Sequence, residues 1–119
     1  MPFKAILTQL VEVTPHASGA ILADWEGEAV EQHCLYDDYE LKLVGAHKGI
    51  ILNLMKDVHA ALASGKLREA VITSGKQRVI IGTVGPDYSL VMTLENGAMI
   101  GLALHRFRQA VKLLEKEIY

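Results

Sequence analysis

The residues of this chain best suited to chemistry are its five histidines and its single cysteine, and their spacing argues against a reactive site. They are His16, His33, His47, His59, His105 and Cys34. A helical zinc site needs two histidines at i and i+4 with an acidic base between them, and no pair here has that spacing. His33 and Cys34 are neighbours on an expected strand, so their side chains point to opposite faces and cannot share a metal. Ser74-Gly75-Lys76 has the ending of a phosphate loop, but it lacks the upstream glycine and leads into a strand rather than a helix. It reads as a hairpin turn. Asp24, Asp37 and Asp38 read as surface or capping carboxylates, and no Ser-His-Asp or Cys-His-Asn set presents itself. The sequence predicts no catalytic residue, no cofactor and no metal ligand, in a chain that is not an enzyme.

The elements that would carry any site are clearer. The stretch Leu67 to Leu94 holds three short apolar runs, Ala70–Thr73, Val79–Val84 and Tyr88–Leu94. They are rich in Val, Ile, Thr and Tyr and are separated by Ser74-Gly75-Lys76-Gln77 and Gly85-Pro86-Asp87, which is the signature of strands and turns. The gaps are too short for a crossover helix, so an antiparallel meander is expected. Val79, Ile81 and Thr83 face one way, and Ile80, Gly82 and Val84 the other. Leu90, Met92 and Leu94 likewise oppose Val91 and Thr93. Neither face is plainly polar, so the rest of the chain must cover both.

Before the meander, Phe3 to Val13 places Phe3, Ile6, Leu7, Leu10 and Val11 at helical spacing, and Pro15 ends that helix. His16 to Gly19 is expected as a loop. Ala20 to Trp25 and Glu28 to Tyr36 read as a hairpin turning at Glu26-Gly27, with the polar return strand at a sheet edge. Asp38 is a candidate N-cap for a long helix from Tyr39 to Ser64, about 39 Å if continuous, which Gly65 ends. After the meander, Asn96 marks a turn or cap. Ile100, Ala103, Leu104, Phe107, Val111, Leu114 and Ile118 then keep helical spacing, with Arg106, Arg108, Lys112 and Lys116 on the polar side. The expected fold is therefore α/β: a five-stranded antiparallel sheet in a three-layer α/β/α sandwich, ordered helix, two strands, long helix, three strands, helix.

With 119 residues, half of them hydrophobic, residues 1–119 suit one domain with a real core. The net charge of −2 gives no reason to expect nucleic acid as a partner. No apolar stretch reaches about 18 residues, so no membrane insertion is expected. A lone cysteine cannot form an internal disulfide, and a reducing, cytoplasmic setting is the simplest expectation.

Two glycines inside the long helix need a reason, since each costs about 1 kcal/mol relative to alanine. Gly45 and Gly49 are four residues apart and share one face, which Asn53 roughly continues. Small residues on one face allow another surface to approach closely. That surface is either this chain's own sheet or the equivalent helix of a second copy packed antiparallel. The length of the helix favours the second copy.

This pattern resembles the Roadblock/dynein light chain family in its stand-alone prokaryotic, MglB-like form, whose fold is Roadblock/profilin-like. The residues that carry the resemblance are Ser18 through Gly27, the long helix, the strands Ala70–Thr73 and Val79–Val84, Pro86 through Leu94, and the closing helix with Gly97 and Gly101 near its start. The resemblance implies a small scaffold that dimerises, with paired long helices and with third strands that can join two sheets. It also implies that the paired helices form a platform for a small Ras-like GTPase, whose own residues such a regulator repositions. On this chain the implied dimer interface is Gly45, Gly49, Asn53, Val71 and Thr73, with the joining edge at Arg68–Ser74. The implied partner contacts are Lys48, Lys56 and Asp57. The alternative is a small-ligand sensory or protein-interaction module with no GTPase partner, with a pocket near Trp25, Cys34 and Tyr36.

Overall fold

The apolar segment Tyr88–Glu95 becomes the central strand of a five-stranded sheet. A computed structural model describes residues 2–24, 29–35, 69–73, 77–85 and 87–119. Among them the chain runs through helix α1 (Pro2–Val13), strands β1 (Ala17–Asp24), β2 (Ala29–Cys34), β3 (Glu69–Thr73), β4 (Gln77–Val84) and β5 (Tyr88–Glu95), and helix α2 (Ile100–Ile118). The strand order is β2-β1-β5-β4-β3, and all neighbours are antiparallel. The expected hairpin and meander are both present, and β1 pairs with β5 to join them.

The alternation read in the sequence sorts the strands onto two faces. Ile80, Val84, Leu90, Met92 and Leu94 meet Leu7, Leu10 and Val11 of α1 and Ala103, Phe107, Ala110 and Leu114 of α2 in one buried cluster. Phe107 is 1% exposed, and burying a side chain of that size stabilises by up to about 3 kcal/mol. Val79, Ile81 and Val91, with Ile72 beside them, are buried on the opposite face. Both described helices thus lie on one face. The long helix Tyr39–Ser64 expected for the other, with Asp38 and Gly65 at its ends, lies outside the described residues, as do Trp25, Glu26-Gly27, Ser74-Gly75-Lys76 and Pro86.

One boundary differs from expectation. Ser18 and Gly19 read as loop residues, yet β1 begins at Ala17. Gly19 is used for closeness rather than for turning. A Cβ there would stand 3.3 Å from both Cys34 Cβ and Thr93 Oγ1 and 3.4 Å from the His33 carbonyl oxygen. The β1–β5 register shifts between Ala17 and Gly19, so a bulge absorbs one residue. Ser18 Oγ lies 2.9 Å from Thr93 Oγ1 at this point. The reversal itself is tighter than expected. His16 takes a positive φ of 67°, and its carbonyl accepts the Glu95 amide at 2.9 Å.

Helix α2 starts after the Asn96-Gly97 turn, which closes with the Ala98 amide donating to the Glu95 carbonyl at 3.1 Å. Its N-cap is Met99, which makes no side-chain capping bond, so the helix is held by its buried stripe rather than by its cap. At its far end the Tyr119 ring lies over Gly85, and the Tyr119 hydroxyl reaches Asp87 Oδ2 at 3.4 Å.

Gly85 is constrained twice. Its φ is +65°, and a Cβ would fall 2.2 Å from the Tyr119 ring. Left-handed backbone costs a residue with a Cβ about 1–2 kcal/mol before any clash. Gly85→Ala is therefore expected to lower unfolding stability by about 2 kcal/mol or more in urea melts. In a Tyr119→Ala background the clash disappears and the same change costs only its backbone share. Equal costs in the two backgrounds would mean that the ring contact contributes nothing.

Candidate interaction surface

Among the described residues, no three of His, Cys, Asp or Glu are placed to hold a metal ion. His33 and Cys34 sit opposite Ala20 and Gly19 of β1, so they fall on opposite faces, as the sequence predicted. Cys34 is a half-buried thiol that belongs to no disulfide. The two edges of the sheet differ.

The β2 edge is engaged by the chain itself. The Gln32 amide donates to Glu31 Oε1 at 3.2 Å, and Lys4 of α1 donates to the Gln32 carbonyl. Lys4 Nζ also lies 3.9 Å from Glu31 Oε1. Side chains thus occupy both backbone groups in the middle of that strand, and a lysine at an edge is a standard barrier to foreign pairing.

The β3 edge is built differently. Val71, opposite Ile80, is 40% exposed. Thr73, opposite Arg78, is also exposed. The two lie two residues apart and so share a face, the one that carries α1 and α2. Glu69 on the same face is held by Arg108 of α2. Arg108 Nε donates to both carboxylate oxygens, at 2.9 and 3.1 Å, and a terminal guanidinium nitrogen also donates to Oε1. Hydrogen bonding to Glu69 and its charge together raise the Arg108 pKa above its ordinary value. This fork–fork contact fixes the start of β3 to α2 without touching the outer edge.

A family model described as Roadblock/LC7 domain matches residues 4–94. The chain belongs to the Roadblock/LC7 domain family. Solved structures agree on the fold of this Roadblock/LC7 chain. MglB from Myxococcus xanthus superposes with a TM-score of 0.85 at 16% identity, covering 99% of this chain and 95% of that one. Another MglB structure, described as having a tetrameric arrangement, gives 0.77 at 17% identity over 97% and 86%. A Roadblock/LC7 domain from Streptomyces avermitilis gives 0.81 at 18% identity over 97% and 96%. Profilin II from Acanthamoeba castellanii gives 0.68 at 12% identity over 98% and 99%. Curated protein sequences give no match.

For the Roadblock/LC7 chain the sequence named two kinds of surface residue. Val71 and Thr73 fall together on the edge strand. Gly45, Gly49, Asn53, Lys48, Lys56 and Asp57 lie outside the described residues, as do Trp25 and Tyr36 of the alternative pocket. The Lys4 contact on β2 and the Glu69–Arg108 pair were not foreseen. Both link residues far apart in the chain, and nothing local in the sequence announces them.

If the Arg108 fork fixes β3 to α2, its loss should be felt at β3 before the centre of the sheet. In Arg108→Gln, amide exchange at β3 is expected to accelerate relative to β5, read residue by residue by NMR. Unchanged exchange at β3 would make the pair a solvated surface contact only.

Proposed function

We propose that this protein is a non-catalytic, homodimeric scaffold or regulator that binds a small Ras-like GTPase, with residues 1–119 acting as one domain in the cytoplasm. The observation that carries the reading is the asymmetry of the sheet. Edge β2 is occupied by Lys4 and Glu31, whereas β3 presents Val71 and Thr73. A second copy pairing through β3 would extend the sheet across a two-fold axis, an isologous contact. Gly45 and Gly49 fit a paired-helix contact in the same dimer, and Asn53 continues their face. The platform would then offer Lys48, Lys56 and Asp57 to the GTPase.

Family membership supports this reading, because the resemblance implies both the dimer and the GTPase platform. So does the tetrameric arrangement described for one MglB structure, as a sign that a protein of this fold self-associates. A regulator that works by repositioning its partner's residues needs no nucleophile or general base of its own. GTPase activation is the finer form of the proposal, and tethering the coarser one.

Two variants test the dimer. Val71→Lys puts a charge on the β3 edge, and Gly49→Leu fills the small-residue face. Each is expected to weaken dimerisation by at least roughly tenfold, equivalent to about 1.4 kcal/mol, as measured by light scattering across a dilution series. Full dimerisation in both variants would remove the proposed interface. Affinity capture from the source cells, with a GTP analogue or GDP present, tests the partner. Nucleotide-dependent recovery of a small GTPase is the expected result, and a turnover assay then separates activation from tethering. Recovery of the chain alone in both nucleotide states would overturn the GTPase reading.

A further inference from the structure

The turn between β5 and α2 is built on Asn96-Gly97, and it does not use the pair as such turns usually do. The Ala98 amide donates to the Glu95 carbonyl at 3.1 Å, so Asn96 and Gly97 are the two middle residues of a β-turn. Asn-Gly in a tight turn ordinarily serves positive φ angles. Here neither residue has one, since among the described residues only His16 and Gly85 do. Packing does not demand a glycine at 97 either. A Cβ there would meet nothing nearer than 3.6 Å, which is ordinary contact. What the missing side chain changes is access to the Gly97 amide nitrogen, in a turn where both residues are exposed.

The atoms that such a Cβ would meet belong to His16: Cε1 at 3.6 Å, and Nδ1 and Nε2 at 3.8 Å. An imidazole from the far end of the chain therefore lies against Gly97. The backbone and the side chain both hold it there. His16 takes a φ of 67°, its carbonyl accepts the Glu95 amide at 2.9 Å, and its Nδ1 lies 3.6 Å from Glu95 Oε2. Imidazole is the side chain best suited to taking and returning a proton near neutral pH. A carboxamide, an unhindered amide nitrogen and a proton acceptor thus share one exposed turn.

We propose that Asn96-Gly97 is a self-modification site, at which Asn96 is deamidated with His16 as the proton shuttle. The Gly97 nitrogen gives its proton to the imidazole, directly or through one water, and bonds to Asn96 Cγ. The Cγ–Nδ2 bond breaks, and its nitrogen leaves as ammonia with the proton returned by His16. The product is a cyclic imide across the Asn96-Gly97 link. Water then opens it at either carbonyl. Opening at Cγ gives aspartate at 96, and opening at the main-chain carbonyl gives isoaspartate, with the chain rerouted through Cγ. No electrons are exchanged: water enters and ammonia leaves. Either product adds a negative charge beside Glu95, on a chain whose net charge is −2. Isoaspartate also adds one methylene to the main chain at the entry to α2, where the N-cap Met99 makes no side-chain capping bond.

The test follows the full chain at neutral pH by mass spectrometry. Peptide mapping places the amide-to-acid conversion, and an isoaspartyl methyltransferase reports isoaspartate. Conversion at Asn96 is expected to be roughly tenfold faster in the folded chain than in the same chain unfolded in urea. His16→Gly accepts the positive φ, removes the imidazole, and should bring the folded rate down to the unfolded one or below. Free imidazole should raise the rate of His16→Gly by a larger factor than that of the original chain, which a merely structural role for His16 would not produce. Gly97→Ala fits the space and should slow conversion at least roughly tenfold by screening the nitrogen. Melting temperatures confirm that both variants fold. The proposal is overturned if Asn96 converts no faster in the folded chain than in the unfolded one, or if His16→Gly converts at the original rate. It is equally overturned by conversion only at Asn53, the chain's other asparagine.

Discussion

The constraint on which the rest of the structure depends is that β5 has two insides. Leu90, Met92 and Leu94 belong to the helix-covered cluster, and Val91 belongs to the opposite one. Ser89 and Thr93 are also buried on that second face. The strand has hydrogen-bonded neighbours on both sides as well, β1 and β4. Nothing about it is free to move independently. The two faces are also unlike in shape, with long side chains on one and small or β-branched ones on the other. A slip of one residue would set Ser89, Val91 and Thr93 against Phe107, leaving a void and taking Thr93 from its contacts with Ser18 and Gly19. Apolarity alone would permit either register, and it is the mismatch in size that selects one.

From that central strand the arrangement follows outward. Strands β1 and β4 are buried against it, and the sheet must end somewhere on each side. It ends at β2, where Lys4 and Glu31 occupy the backbone of Gln32, and at β3, where Arg108 holds Glu69 from the helix side. The charged contacts are thus at the periphery of the sheet, where desolvation is cheap. Profilin II shares this frame at 12% identity. Residue identity in the frame is therefore loosely specified, and what distinguishes one protein of this fold from another must reside on edges and outer helix faces.

How much of this was legible in the sequence divides along physical lines. The strands of the meander, the two faces of β4 and β5, the stripe of α1 and the stripe of α2 were all readable, because periods of 2 and 3.6 are local properties of a buried chain. The start of β1 was misread because Gly19 serves two uses that look alike in sequence. Glycine allows a turn, and it also allows close contact, here with Cys34 and Thr93. For the interaction surface, Val71 and Thr73 lie on β3, the last strand of the sheet on that side. The long-range pairs that make one edge closed and tie down the other were invisible, since Lys4–Gln32 and Glu69–Arg108 join distant parts of the chain.

The unequal edges carry a consequence for how such a sheet grows. A flat sheet with two open edges is a template at both ends, and each added copy presents the same invitation again, so growth has no natural stop. Here the Gln32 backbone is already spoken for on one side. Copies that met through their β3 strands about a two-fold axis would leave only β2 edges outward, both of them occupied. Such an assembly is self-terminating. In such an assembly Lys4 would limit strand-by-strand growth from a strand to which it does not itself belong.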